Sequence, residues 1–394
     1  MKLDRIIVYI IFTILILGAL FPVGSYLLIG ILIAMIIVFG QEKAIWDHLI
    51  QNKVLLLMAI STLLSSLFSE LWYVSIFFSI LYIIKILFCS IVSCYLDESH
   101  VEKIILLLMY LGVLVSIIGI FQFFYFNGDM PNSWVDTNVY NIDFRAYSTF
   151  YNPNILAVFL NLSLLTGLVQ FETNKTHKNK TLATSCFILS LICLLLTYSR
   201  NGWFSLCISF IVLSFINTKY IKYAVLFPII FFSFDFLGDI GRLLPKNMIA
   251  DSSIEYRIKI WIAAIKIIKD NLILGIGPGT IWEEIPLYSN DLKAYISHVH
   301  NIYLQKLADT GIIGLFFFIF FIKYLWNEIK EDVFSNKEIS VISFGFCITL
   351  LVNGLFDAVC FQSQISIFVW LFIGIGLKKA KSRDVVIHTN EKVY

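Results

Sequence analysis

The sequence predicts an all-α fold: a polytopic membrane helical bundle of about twelve transmembrane helices, with a large outer loop that contains an amphipathic helix. Three observations carry this reading. Of 394 residues, 59% are hydrophobic and only 14% charged, whereas a soluble chain needs about 25% charged residues to cover its surface. Apolar runs of spanning length recur from one end to the other. The lysines and arginines gather in alternate connections between those runs. A disordered chain would be poor in Ile, Leu and Phe, and this one carries 36 Phe. The net charge of +2 says little, because in a membrane protein the distribution of basic residues matters more than their sum. Nucleic-acid binding has no support.

The apolar runs are approximately 6–21, 23–39, 54–69, 71–93, 104–126, 154–171, 182–199, 202–217, 220–237, 302–322, 339–356 and 361–377. The first follows Lys2 and Arg5 and resembles a signal peptide. It lacks a small-x-small cleavage site, and a second run follows almost at once, so it reads as a retained first helix. Placing the N-terminus inside puts Lys2, Arg5, Lys43, Lys53, Lys103, Lys175, Lys178, Lys180, Lys219, Lys222, Lys323, Lys330, Lys337, Lys378, Lys379, Lys381, Arg383 and Lys392 inside as well. The outer connections other than the last long loop then hold only Arg145 and Arg200. An odd number of spans breaks this alternation, so both termini are expected in the cytoplasm.

Two outer segments are too long for simple turns, at 127–153 and 238–299, within a chain read as one integral membrane domain over 1–394. The longer one balances seven basic residues against seven acidic ones, so it is neutral and not a polycation. No internal repeat of the transporter kind is evident. The seven cysteines lie in or beside apolar runs with no CxxC and no paired His spacing, which favours packed thiols over a disulfide framework or a metal site.

Within the long loop, Ile254, Ile258, Trp261, Ile265 and Ile268 recur at helical spacing, opposite Lys259 and Lys266. This predicts an amphipathic helix in the outer interface. Arg257 at the edge of that stripe either meets an anionic head group or snorkels. The run Gly275-Ile-Gly277-Pro278-Gly279 lacks the Lys-Ser/Thr of a P-loop and the strand context of a dinucleotide fingerprint, so it reads as a turn. His300 stands where the chain re-enters the membrane, followed by Asn301. The imidazole suits proton transfer near neutral pH, while the bland reading is a helix-capping His-Asn pair. His298 is a weaker candidate for the same role. Arg200, between two runs, needs an anion or carbonyls, and a diphosphate matches its planar fork; capping a helix end is the alternative. Lys85 and Asp357 are further ionisable groups at membrane depth, and neither receives a role.

Four motifs, taken together and in order, resemble the O-antigen ligase and polymerase family of membrane glycosyltransferases. They are Arg145 with Ser148-Thr149-Phe150-Tyr151-Asn152-Pro153-Asn154; Thr197-Tyr198-Ser199-Arg200; Tyr256-Arg257 through Trp261 to Gly275–Gly279; and His300-Asn301 followed by Gly311-Ile-Ile-Gly314. The likeness covers residues 145–314 and departs from the family at Asp309, where Glu is usual. It implies a metal-independent, cofactor-free transfer of glycan from an undecaprenyl-diphosphate carrier, at the outer face of the cytoplasmic membrane. On this resemblance His300 is the catalytic base. Arg145, Arg200, Arg257, Asn154 and Asn301 bind substrate, with Arg200 and Arg257 on the diphosphate. The implied partners are the lipid-linked oligosaccharide, membrane lipid, and a flippase and chain-length regulator of the same pathway.

Within that family the neutral outer loop, with no extra domain to dock a protein, favours polymerisation of surface polysaccharide repeat units. Ligation to a lipid A core or a protein is the alternative. A flippase or transporter of the same lipid-linked repeat is a reading from another class. It predicts two similar halves and many charges along a central cavity, and the sequence presents neither.

Overall fold

The computed structural model of the chain describes residues 2–125, 134–136, 139–140, 142–173, 177–289, 291–292 and 295–378. Lys175, Lys293, Lys379, Lys381, Arg383 and Lys392, and residues 127–133, 137–138 and 141 of the first long loop, lie outside the described residues. The helices, in order, are α1 (Lys2–Leu20), α2 (Pro22–Val38), α3 (Glu42–Gln51), α4 (Lys53–Leu67), α5 (Trp72–Tyr95), α6 (Glu98–Tyr125), α7 (Pro153–Thr173), α8 (His177–Leu196), α9 (Arg200–Ile216), α10 (Ile221–Leu237), α11 (Pro245–Ala250), α12 (Ser252–Asp270), α13 (Ile281–Tyr288), α14 (Ile302–Phe334), α15 (Glu338–Asn353) and α16 (Ser363–Leu377). There is no strand among the described residues.

Each predicted apolar run is a helix. Seven helical segments, in α1, α5, α6, α7, α8, α10 and α14, are long and apolar enough to cross a membrane. The α2–α3 pair would add an eighth but is bent by 106°. The apolar helices α4, α9, α15 and α16 have 15–17 residues, short of the roughly 20 that span a hydrocarbon core. Helix α3 stands where sequence analysis placed only a connection. It buries Ile45 and Leu49 and exposes Trp46 and Ile50.

Helix α7 is the centre of the bundle. Pro153 starts it, where a missing N–H costs nothing. Its apolar residues are spread all round instead of along a stripe, and every residue from Leu156 to Gln170 is buried, against α6, α8, α9 and α15. Close packing needs small residues: a Cβ on Gly167 would stand 3.0 Å from the Ala183 carbonyl of α8.

The segment after α10 has a core of its own, in which Ile260, Ala263, Ala264, Ile267 and Ile268 of α12 meet Ile281 and Ile285 of α13 and Ala308 of α14. This corrects the predicted stripe. Ile268 is buried and Trp261 half-buried, but Ile258 and Ile265 are exposed together with Ile262. The buried positions 260, 263, 264, 267 and 268 define a neighbouring face, because α12 packs on protein as well as presenting an apolar edge outward.

The glycine run is a turn, as expected. Ile276 N donates to the Ala308 carbonyl at 2.9 Å, Gly277 N to that of Asp309 at 3.0 Å, and Ile312 N to that of Leu272 at 2.9 Å. These bonds fasten 272–277 to a kink in α14 at Gly311, whose φ is +61°. No other residue fits there, since a Cβ on Gly311 would lie 2.2 Å from the Ile273 carbonyl oxygen. The kink sets off a short first segment, Ile302–Thr310, from the remainder of α14, and His300 immediately precedes it.

Candidate active site

Four loops meet at one end of the bundle: 142–152, 197–200, 238–301 and 354–362. Ala146 N donates to the Leu196 carbonyl at 2.9 Å and Ile302 N to the Gly354 carbonyl at 2.8 Å, which ties the loops together in pairs. Five non-glycine residues here, Ser148, Tyr151, Tyr198, Asp239 and His300, have positive φ; only Asn336 does so elsewhere among the described residues. Each such conformation costs on the order of 1 kcal/mol or more, and their concentration at one place is characteristic of a site whose geometry is held by surrounding structure.

His300 Nδ1 lies 3.1 Å from Asp357 Oδ1, and its ring is a quarter exposed. His298 Nε2 approaches the same oxygen at 3.5 Å, with the two imidazole centroids 4.2 Å apart. The carboxylate oriented by these rings also accepts from the backbone N–H of Ala358 at 2.8 Å. Burial would raise the Asp357 carboxyl, but the hydrogen bonds from His298 and His300 prevail and hold it well below the usual 3.8. Burial lowers His300 below the usual 6.5 despite the bond to Asp357. The imidazole is therefore neutral at pH 7. With Nδ1–H given to the carboxylate, Nε2 is left as a basic lone pair, and it makes no hydrogen bond among the described residues.

Beside this pair is a group of guanidinium ions. Arg145, 3% exposed, donates Nε to the Thr197 carbonyl at 2.7 Å and Nη2 to Asn154 Oδ1 at 2.9 Å. Burial and then the charges of Arg242, Arg200 and Arg257 work against its protonation. Arg200 heads α9 and pairs with the buried Asp251 at 2.6 Å, while its Nη1 donates to the Tyr140 hydroxyl at 2.9 Å. The Tyr140 ring faces both Arg200 and Arg242, whose Cζ atoms lie 5.6 Å and 4.6 Å from its centroid. The Nε of Arg242 is buried with no partner. Arg257 makes no ion pair or hydrogen bond among the described residues, and its charge acts on both His300 and Asp357. Four guanidinium ions against the carboxylates of Asp235, Asp251 and Asp357 leave a net positive cluster suited to an anion.

Asn154 joins the two halves of the site. Its Oδ1 accepts from Arg145 and from Ser199 Oγ at 3.1 Å, and its Nδ2 donates to Asp357 Oδ2 at 3.4 Å. Asn301 does different work. It caps α14, its Oδ1 accepting from Tyr303 N at 3.0 Å and Leu304 N at 2.9 Å while Nδ2 donates to the Leu355 carbonyl. The predicted residues Arg145, Asn154, Arg200, Arg257 and His300 are thus brought together, whereas Asn301's polar groups are committed to the fold.

His298, His300 and Asp357 each offer one ligand atom, all within 4.8 Å of one another, and could take a cation. The donor set is two imidazole nitrogens and one carboxylate oxygen. Against it stand the charge of Arg257 and the prior use of Asp357's oxygens by both histidines, Asn154 and Ala358.

Residues 185–319 match the family model described as O-antigen ligase. This region is similar to that family. No curated protein matches the chain. The matched region runs from α8 into α14 and takes in Arg200, Arg242, Arg257, His298 and His300. Outside and inside that region, seven helices are long and apolar enough to cross a membrane, consistent with multiple passes. Arg145, Asn154 and Asp357 come from outside the region. Sequence reasoning left Asp357 without a role and passed over Arg242, Asp251 and Tyr140. The signal for Asp357 was present, as an acid at the mouth of an apolar run; Arg242 had none, being one of seven basic residues in a neutral loop.

Proposed function

We propose that this protein is a metal-independent, inverting glycosyltransferase acting on undecaprenyl-diphosphate-linked glycan at the outer face of the cytoplasmic membrane, and that it polymerises surface polysaccharide repeat units such as O-antigen, capsule or exopolysaccharide. The observation that carries this reading is the His300–Asp357 hydrogen bond beside a cluster of guanidinium ions. In the proposed step an acceptor hydroxyl oxygen attacks the anomeric carbon of the donor. Its proton passes to His300 Nε2, the carbon–oxygen bond to the diphosphate breaks, and the released undecaprenyl diphosphate keeps the electron pair. Arg145, Arg200, Arg242 and Arg257 stabilise the charge that develops on it, which preorganised cations do best in a partly dry site. Attack opposite the leaving group inverts the anomeric centre.

The whole chain acts as one membrane unit with both termini in the cytoplasm, an orientation supported by the alternation of basic connections. A polymerase is favoured over a ligase because the long loop is neutral and its apolar core is closed by its own helices and the start of α14. Transfer to a lipid A core is the second reading, and the description of the matched family favours it. The test is a size-resolved gel of surface polysaccharide from a strain lacking the gene, complemented with wild type or His300→Ala. A polymerase gives a ladder that collapses to one repeat unit and returns only with wild type. Long chains retained on the lipid carrier indicate a ligase. Full restoration by His300→Ala refutes the assignment of the base.

A further inference from the structure

Val299 stands between His298 and His300, fully buried, and side chains take both of its backbone polar groups. Its carbonyl accepts from Trp261 Nε1 of α12 at 3.0 Å, and its N–H donates to Gln305 Oε1 of α14 at 2.7 Å. Gln305 is held in turn, its Nε2 donating to Asp309 Oδ1 at 2.8 Å. The Asp309 carbonyl accepts from Gly277 N at 3.0 Å and from Ser65 Oγ of α4 at 2.5 Å, which anchors this series of bonds at the kink. The transfer step itself uses neither Trp261 nor Gln305.

These bonds act on a strained residue. His300 has a φ of +55°, a conformation that costs a non-glycine residue on the order of 1 kcal/mol or more and persists only where its surroundings impose it. The Val299 carbonyl belongs to the peptide plane that enters His300, and Trp261 holds that plane. On the other side the chain is tied to the loop that carries Asp357. Ile302 N donates to the Gly354 carbonyl at 2.8 Å, and Asn301 Nδ2 to that of Leu355 at 2.9 Å. His300 therefore joins two anchored stretches of backbone. Release of the first lets φ return to negative values, and the imidazole then swings away from Asp357 Oδ1, now 3.1 Å from Nδ1.

We infer that Trp261 and Gln305 are positioning residues for the base: their grip on Val299 holds His300 in the backbone conformation that sets Nδ1 on Asp357. The inference rests on the proposed transfer at His300 and adds two residues that act through it. Trp261 also joins the base to the cations. Arg257 is one turn earlier on α12, so the two side chains share a helix face. One helix thereby fixes the spacing between a cation for the leaving group and the backbone that carries the base. A misplacement of about 1 Å between such groups can cost on the order of 10²-fold in rate. Packing alone does not account for the arrangement, because the Trp261 ring could fill its place without aiming its N–H at the one carbonyl that adjoins His300.

The test is transfer kinetics of the full-length protein in membrane vesicles, supplied with the source organism's own undecaprenyl-diphosphate-linked repeat unit. Trp261→Phe keeps an aromatic ring and loses the N–H. Gln305→Leu keeps the volume and loses both bonds. Each should lower kcat about tenfold or more with donor KM within about twofold of wild type. Ile285→Val trims the same apolar core from α13; it should lower the melting temperature and leave kcat unchanged, which separates positioning from stability. In a His300→Ala background Trp261→Phe should have no further effect on the residual rate, since no base is left to position. A wild-type kcat in either Trp261→Phe or Gln305→Leu overturns the inference. So does a loss expressed in donor KM, a loss that Ile285→Val reproduces, or one that persists undiminished without His300. In those cases transfer at His300 stands. If His300→Ala is itself as active as wild type, the proposed function and the inference fall together.

Discussion

His300 and Asp357 lie 57 positions apart in the chain, yet Nδ1 of the one is 3.1 Å from Oδ1 of the other. A carboxylate so placed fixes which imidazole nitrogen carries the proton and stabilises the imidazolium formed when the other accepts one. Asp357→Asn keeps the shape and loses the charge. It should lower the transfer rate by about 10²–10⁴-fold, with donor binding retained. Turnover in membrane vesicles measures this, and a variant as fast as wild type would remove Asp357 from the mechanism.

The same pair sets the pH dependence. A base works only when neutral, and burial lowers His300 below 6.5, so activity should be flat from pH 7 to 8 and fall only as pH drops through a midpoint under 6.5. Asp357, held well below 3.8, stays ionised throughout that range. An acidic limb centred above pH 7 in the rate profile would contradict this order of effects.

Arg200 and Arg257 should separate stability from catalysis. Arg200→Ala strands the buried carboxylate of Asp251 and should cost about 3 kcal/mol as well as activity. Arg257 has no protein partner among the described residues, so Arg257→Ala should leave the melting temperature within about a degree while transfer falls on the order of 10²-fold. Differential scanning fluorimetry beside the vesicle assay distinguishes the two. Equal loss of stability in both variants would refute the division.

The His298–His300–Asp357 group makes a metal prediction. Transfer by a free imidazole should survive chelation by EDTA with its rate unchanged. Added Zn²⁺ should inhibit by occupying the imidazole nitrogens. His298→Ala should weaken that inhibition. Activity abolished by EDTA and restored by a divalent ion would reverse the assignment.

Gly311→Ala tests the kink that carries His300. A Cβ 2.2 Å from the Ile273 carbonyl, at a φ of +61°, should cost on the order of 2–4 kcal/mol and shift the start of α14. Thermal melting and transfer should fall together. A fully stable, active variant would show that the fastening of 272–277 to 308–312 is dispensable.

Hydropathy by itself determined the class of this protein. Burying apolar side chains in lipid and satisfying every backbone group by helix are local demands, so Phe, Ile and Leu runs announced the helices before any contact was known. The chemistry of Arg145, Arg200, Arg257 and His300 was legible for a related reason: charged and titratable side chains at the ends of apolar runs stand out against their surroundings. Tertiary structure alone decided what those groups meet. Arg200 pairs with Asp251 across 51 residues, Asn154 reaches Asp357 across 203, and the buried face of α12 is chosen by α13 and α14 instead of by its own periodicity. Partnerships of that kind depend on how helices pack, and helix packing leaves no period in the sequence. Lys85 shows the difference most plainly. Its charge at membrane depth is visible at once, but that it lines a cavity together with Lys306, with no carboxylate partner among the described residues, follows only from the fold.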